Sequence, residues 1–179
     1  SLGGHFAAVT AGRFADRVSG VILVATGSPW WKAFVGATGP LNDKSVRRLI
    51  RLIPPASLVF GYFPGERIGF GGNEARGIMH DWRTLAKTNR YRARGLAEDL
   101  DAAVAGYRGP VLAVRLADDA LAPQASVQAV TDKFRNARLS QQVVTAEQLG
   151  DRADHFRWAR QAGLIADQVA SRLLIPNPR

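Results

Sequence analysis

Three side chains that could share one reaction occur in the order hydroxyl, carboxylate, imidazole: Ser1, Asp119 and His155. A serine hydroxyl is a poor nucleophile near neutral pH. It becomes reactive when an imidazole takes its proton, and the imidazole works best when a carboxylate fixes its tautomer and stabilises the cation it becomes. The chemistry of such a set is acyl transfer: attack on an ester, thioester or amide carbonyl, then release of the acyl group to water. Each residue also has an ordinary explanation. Ser1 can be a solvated terminus, Asp119 a turn or helix cap, and His155 a plain loop histidine, while Asp118 offers a second carboxylate next door. His5, His80 and His155 are too dispersed to suggest a metal set. Gly69-Phe70-Gly71-Gly72 lacks the Gly-Lys-Ser/Thr ending of a phosphate loop. No cofactor and no metal are expected.

Strand-like segments precede both the acid and the base. Val111 to Leu116 is an apolar run launched by Gly109-Pro110, with Asp118-Asp119 just after it. Ser140 to Thr145 reads as a short strand, and Asp154-His155-Phe156 follows in a loop. A third run, Val18 to Ala25, is rich in β-branched residues and reads as a buried strand covered on both faces. Helical patterns lie between. Val127, Val130 and Phe134 share one face, and Trp158, Ile165 and Val169 mark a last helix. Strands alternating with helices predict an α/β domain with a mostly parallel sheet. Sites in such folds form at the C-terminal ends of the strands.

Residues 30–108 read as a mostly helical insertion. Val46, Leu49, Ile50 and Ile53 make one helical face, with Arg47, Arg48 and Arg51 largely off it, and Pro54-Pro55 is expected to stop that helix. Further helices are predicted over 74–87 and 96–107. Trp30, Trp31, Phe34, Tyr62, Phe63 and Trp82 are candidates to line an apolar acyl pocket, with mutual packing as the equal alternative.

Composition excludes more than it selects. With 179 residues, 46% of them hydrophobic, the chain can bury the core of one domain. It has no cysteine, so thiolate chemistry and disulfides are absent. It has no apolar run long enough to span a bilayer. The net charge of +9 is spread along the chain without a nucleic-acid-binding motif, so no nucleic-acid partner is expected.

These segments resemble a family. Ser1-Leu2-Gly3-Gly4 resembles the second half of the G-x-S-x-G nucleophile elbow. Val111 to Pro123 resembles the strand and loop that present the acid, and the register of Asp119-Ala120-Leu121-Ala122-Pro123 selects Asp119 over Asp118. Asp154-His155-Phe156 resembles the Gly-His-Phe loop that presents the base, with Asp154 in place of the glycine. Gly61 to Gly69 and Trp82-Arg83 resemble the lid of one subgroup of predicted hydrolases. The chain thus resembles the C-terminal portion of a bacterial α/β-hydrolase-fold serine hydrolase, starting at the nucleophile.

The resemblance implies a partial α/β-hydrolase domain over 1–179 with a helical lid at 30–108. It implies a Ser1-Asp119-His155 triad and an oxyanion hole using the Leu2 N–H and a second N–H upstream of Ser1. It also implies a cytoplasmic enzyme acting on a small acyl substrate, active in the full-length protein and inactive as this chain alone. The competing expectation is a non-catalytic α/β-hydrolase-like module that binds a ligand, a protein or a membrane surface. Helix 45–53 with its arginine rim motivates the membrane form, which is the minor reading.

Overall fold

The computed structural model describes residues 2–173. Helix α1 spans Leu2–Arg13, β1 Val21–Val24 and α2 Asp43–Phe60. Two-residue strands β2 (Phe63–Pro64) and β3 (Asn73–Glu74) form an antiparallel hairpin ahead of α3 (Arg76–Thr88) and α4 (Leu100–Gly106). Then come β4 (Pro110–Leu116), α5 (Gln124–Thr131), β5 (Arg138–Val144), α6 (Ala146–Leu149) and α7 (Ala162–Leu173). Strands β1, β4 and β5 form a parallel sheet in the order β1-β4-β5.

Central strand β4 divides the core by its alternation. Val111 and Ala113 point to a cluster with Ala8 and Ala11 of α1, Leu100 and Val104 of α4, and Val127 and Val130 of α5. Leu112, Val114 and Leu116 point the other way, to Val144, Leu149, Ala153 and Ile165. This is the three-layer arrangement the sequence pattern predicts. Strand β1 departs from expectation: Val21 and Leu23 are buried, but Ile22 is 37% exposed and Val24 is half-buried. Its outer face carries no full cover among the described residues, so an all-apolar run does not make it a two-sided strand here.

Helix α2 is the second departure. Asn42 and Ser45 form a reciprocal capping box at its start, with Ser45 N–H donating to Asn42 Oδ1 at 3.0 Å and Asn42 N–H to Ser45 Oγ at 2.9 Å. Val46, Ile50, Ile53 and Ser57 face inward at helical spacing. Pro54-Pro55 does not stop the helix, which runs on to Phe60 and ends at Gly61 with φ +75°. An interior proline leaves the carbonyl four residues back without its amide donor. For Pro54 that carbonyl is Ile50, and Arg83 Nε on α3 donates to it at 2.8 Å.

Helices α2 and α3 hold two small cores. Ala33, Phe34, Val46, Ile50 and Ala86 make one, and Ile53, Phe63 and Met79 make the other. Completely buried Phe34 and Phe63 each contribute up to about 3 kcal/mol of apolar burial. Helix α4 starts at Leu100, later than the predicted Leu96, because the Asp99 carboxylate caps it by accepting from the N–H groups of Asp101 and Ala102, both at 3.1 Å. It packs on α1, and its Leu100 and Val104 join the cluster under Val111 and Ala113 of the sheet.

Candidate active site

The C-terminal ends of β4 and β5 are locked together. After β4, Asp118 N–H donates to the Ala153 carbonyl at 3.0 Å, and Asp118 Oδ2 accepts from the Ala153 N–H at 3.1 Å. Asp118 therefore clamps the loop that carries the histidine. The next residue turns inward. Asp119 Oδ1 accepts from the N–H groups of Leu121 and Ala122, both at 2.9 Å, and Oδ2 lies 2.8 Å from His155 Nδ1. The Asp119 side chain is wholly buried and that of His155 is 12% exposed.

A carboxylate can only accept, so Nδ1 carries a proton, and in the neutral imidazole Nε2 then holds the lone pair. No described residue occupies Nε2. The ring is held from other directions as well. Trp158 Nε1 donates to the His155 carbonyl at 3.1 Å, and the Phe156 ring meets the imidazole edge to face at 5.0 Å. Asp154 shapes the loop: its Oδ1 accepts from the N–H groups of Phe156 at 3.1 Å and Arg157 at 2.9 Å. The Arg157 and Phe156 amides and the nearby Arg152 and Arg157 guanidinium groups hold its carboxyl below the usual range. Such a pair, a buried acid orienting a histidine whose second nitrogen is available, can take and return a proton.

Ser1 lies outside the described residues. Leu2, which opens α1, is 47% exposed. The first N–H groups of a helix have no partner within it, and Leu2 is one of these. The start of α1 rests on the loop after β1, at the same edge of the sheet as Asp119. A Cβ on Gly4 would fall 2.1 Å from Thr26 Oγ1, so only glycine allows this approach. His5 Nε2 lies 3.1 Å from the Gly27 carbonyl and His5 Nδ1 lies 2.7 Å from the Tyr91 hydroxyl. Ala25, which begins this loop, is buried with φ +48°, a conformation uncommon outside glycine. In the sequence His5 stands out only as one of three dispersed histidines. Its partners are 22 and 86 residues away, and no local pattern announces them.

The six aromatic residues do not meet in one cavity. Phe34 and Phe63 are buried in the two separate small cores and present no surface. Trp30, Trp31 and Trp82 pack against the first, and Trp82 also reaches the second, where it meets Phe70 at 5.3 Å. Arg47 stacks on Trp31 at 3.5 Å from the ring centroid. Tyr62 is on the surface beside Phe60. A cleft of about 540 Å³ is lined instead by residues that include His80, Arg90, Arg92 and Arg94. Among the described residues no cluster of His, Asp and Glu has the arrangement of a metal site. Nor, among the described residues, is any helix long and apolar enough to cross a membrane.

No protein-family model matches the chain, and neither does any curated protein sequence. Solved structures do. A hydrolase from Oleispira antarctica, olei00960, is 18% identical over 98% of this chain and 63% of its own, with a TM-score of 0.49. DBJA is 17% identical over 96% of this chain and 65% of its own, with a TM-score of 0.50. E-2-(Acetamidomethylene)succinate hydrolase is 19% identical over 97% and 64%, with a TM-score of 0.44. The chain spans under two thirds of the length of each of these structures. At such identities the likeness speaks to fold, and the match to DBJA carries it. Together with the parallel sheet between helix layers, it shows a mixed α/β fold of the α/β-hydrolase type.

Proposed function

We propose that the full-length protein containing this chain is a serine hydrolase of ester, thioester or amide bonds. The observation that carries the reading is the 2.8 Å contact between buried Asp119 and His155 Nδ1, which leaves Nε2 as the available base. In the first step Nε2 takes the proton of Ser1 Oγ as the oxygen attacks the substrate carbonyl. Asp119 stays ionised and stabilises the imidazolium. The Leu2 N–H, with a second N–H supplied upstream of Ser1, holds the negative oxygen. The imidazolium then protonates the leaving group, and the acyl-serine remains. Water cleaves that ester with His155 again as base, which restores Ser1.

The segment 30–108 would act as a lid over this site through α2, α3 and the β2–β3 hairpin. Half-buried Trp30, Trp31 and Trp82 would meet the acyl group, and a hinge movement would be needed for Phe34, Tyr62 or Phe63 to join them. The test is fluorophosphonate labelling of the full-length protein beside its Ser1→Ala form. Labelling confined to the parent is expected. A well-folded parent that takes no label, or a Ser1→Ala form that still hydrolyses every accepted ester at the parent rate, would sink the proposal.

A second reading is favoured by one patch. Leu58 and Val59 on α2 are 70% and 76% exposed, and Arg48 and Arg51 are exposed on the same helix. A non-catalytic protein could rest this patch on an anionic membrane surface. Salt-sensitive binding to anionic vesicles, lost on replacing Arg48 and Arg51, is what that reading requires.

A further inference from the structure

We propose that His5 and Tyr91 are positioning residues for this site, fixing the first turn of α1 and thereby the Leu2 N–H. The inference rests on the reading of Ser1 as nucleophile. The hydrogen-bond roles follow from chemistry alone. The Gly27 carbonyl can only accept, so His5 carries its proton on Nε2 and donates across 3.1 Å. Nδ1 is then an acceptor, and the Tyr91 hydroxyl donates to it at 2.7 Å. The two rings also meet edge to face at 5.6 Å.

Tyr91 is itself held on three sides. Its N–H donates to Asp101 Oδ2 at 3.0 Å. The Lys133 ammonium lies 4.7 Å from the centre of its ring and donates to Asp101 Oδ1 at 2.7 Å and to the Asn89 carbonyl. Asn89 Oδ1 in turn accepts from Ser28 Oγ at 2.8 Å. One tyrosine therefore gathers the end of α3, the first turn of α4 and the end of α5, and presents a single O–H to α1.

Helix α1 needs such a tether. It buries Ala8 and Ala11 against the core, and Gly12 against α4. Small residues allow close packing but grip weakly against rotation about the helix axis. Arg13, paired with Glu98 at 2.8 Å, anchors only the far end. His5 sits three residues after Leu2, on the same side of the helix, so its two bonds set the direction of the backbone that serves the oxyanion. His5 is no proton relay: one nitrogen faces a carbonyl and the other a phenol that burial keeps protonated.

The test uses the full-length protein and a p-nitrophenyl ester. Tyr91→Phe deletes one O–H and keeps the ring. His5→Leu removes both bonds, while His5→Gln retains a donor and an acceptor. We expect kcat to fall about 10- to 100-fold in Tyr91→Phe and His5→Leu with KM nearly unchanged, and to recover largely in His5→Gln, since small misplacements of reacting groups have costs of this order. Circular dichroism checks that each variant is folded. Should His5→Leu fail to fold, Tyr91→Phe and His5→Gln still decide the matter. A parent labelled at Ser1 whose folded Tyr91→Phe form keeps the parent kcat would overturn the positioning role alone. A parent with no Ser1-dependent labelling would overturn the hydrolase reading and this inference with it.

Discussion

Arg83 donates its Nε proton to the carbonyl of Ile50, 33 residues away and on another helix, at 2.8 Å. That oxygen is the one Pro54 deprives of its normal helical donor. Pro55 likewise frees the carbonyl of Arg51, an exposed residue where water can serve. The contact explains how α2 crosses two prolines, and it ties α2 to α3. Arg83→Met should therefore cost about 1–3 kcal/mol, the penalty for stranding a polar group. In a Pro54→Ala background residue 54 regains an N–H for Ile50, and the same Arg83→Met change should cost less. Urea unfolding of the four proteins of this cycle measures the coupling. Equal costs in both backgrounds would show that Arg83 does not act through the orphaned carbonyl.

Asp118 and Asp119 are adjacent carboxylates with different partners, and their asparagine variants should separate them. Asp119→Asn replaces the acceptor facing His155 Nδ1 with an amide that can donate, which permits the wrong imidazole tautomer. Hydrolytic activity of the full-length protein should fall by roughly 10³- to 10⁴-fold. Asp118→Asn keeps an oxygen for the Ala153 N–H, and activity should stay within about threefold, since a neutral acceptor still closes that clamp. Steady-state rates on an activated ester compare them. If the Asp118 variant suffers the larger loss, the roles are reversed.

Much of this arrangement is legible in the sequence because it is local. The alternation of β4, the parallel α/β pattern and the loop placement of Asp119 and His155 all follow from runs of a few residues. The register Asp119-Ala120-Leu121-Ala122 also works locally, since the Leu121 and Ala122 amides are what turn the acid inward. What the sequence misplaces or leaves open has the opposite cause. Pro54-Pro55 looks like a helix stop unless Arg83 is known to lie beside Ile50. Leu96 looks like a helix start, but Asp99 competes as a cap three residues later. Phe34 and Phe63 look equally suited to a pocket or a core, and only tertiary packing buries them in separate clusters. His5 has nothing near it in sequence to reveal Tyr91 or Gly27.

His5 makes stability depend on pH in a defined window. Burial, with a contribution from the Lys133 charge and against the pull of the Gly27 carbonyl, lowers its pKa from 6.5 to about 4. The unfolded chain binds a proton on this histidine as pH falls below 6.5, while the folded protein does not until about 4. The stabilising contribution is therefore complete above pH 6.5 and is lost as pH falls to about 4. The total is on the order of 3 kcal/mol. Urea midpoints of the full-length protein across this range should fall toward acid, and less steeply in His5→Gln. Parallel profiles for the two proteins would mean that His5 titrates normally.

Two glycines should respond to alanine with opposite signs. A Cβ on Gly12 would stand 2.6 Å from the Ala103 carbonyl carbon and 2.6 Å from the Val104 nitrogen. These are backbone atoms of α4, and they cannot step aside as a flexible side chain would. Gly12→Ala must push α1 away from α4 and open the cluster of Ala8, Ala11 and Val104, at a cost of about 1–3 kcal/mol. Gly77 lies within α3 with nothing in reach of an added Cβ. There alanine removes only the backbone freedom of glycine in the unfolded chain, and Gly77→Ala should stabilise by about 0.5–1 kcal/mol. Because α1 also carries Leu2 and His5, Gly12→Ala should lower kcat in the full-length protein, while Gly77→Ala should leave it unchanged. A Gly12→Ala protein as stable and as active as the parent would show that α1 does not rest on α4 at this crossing.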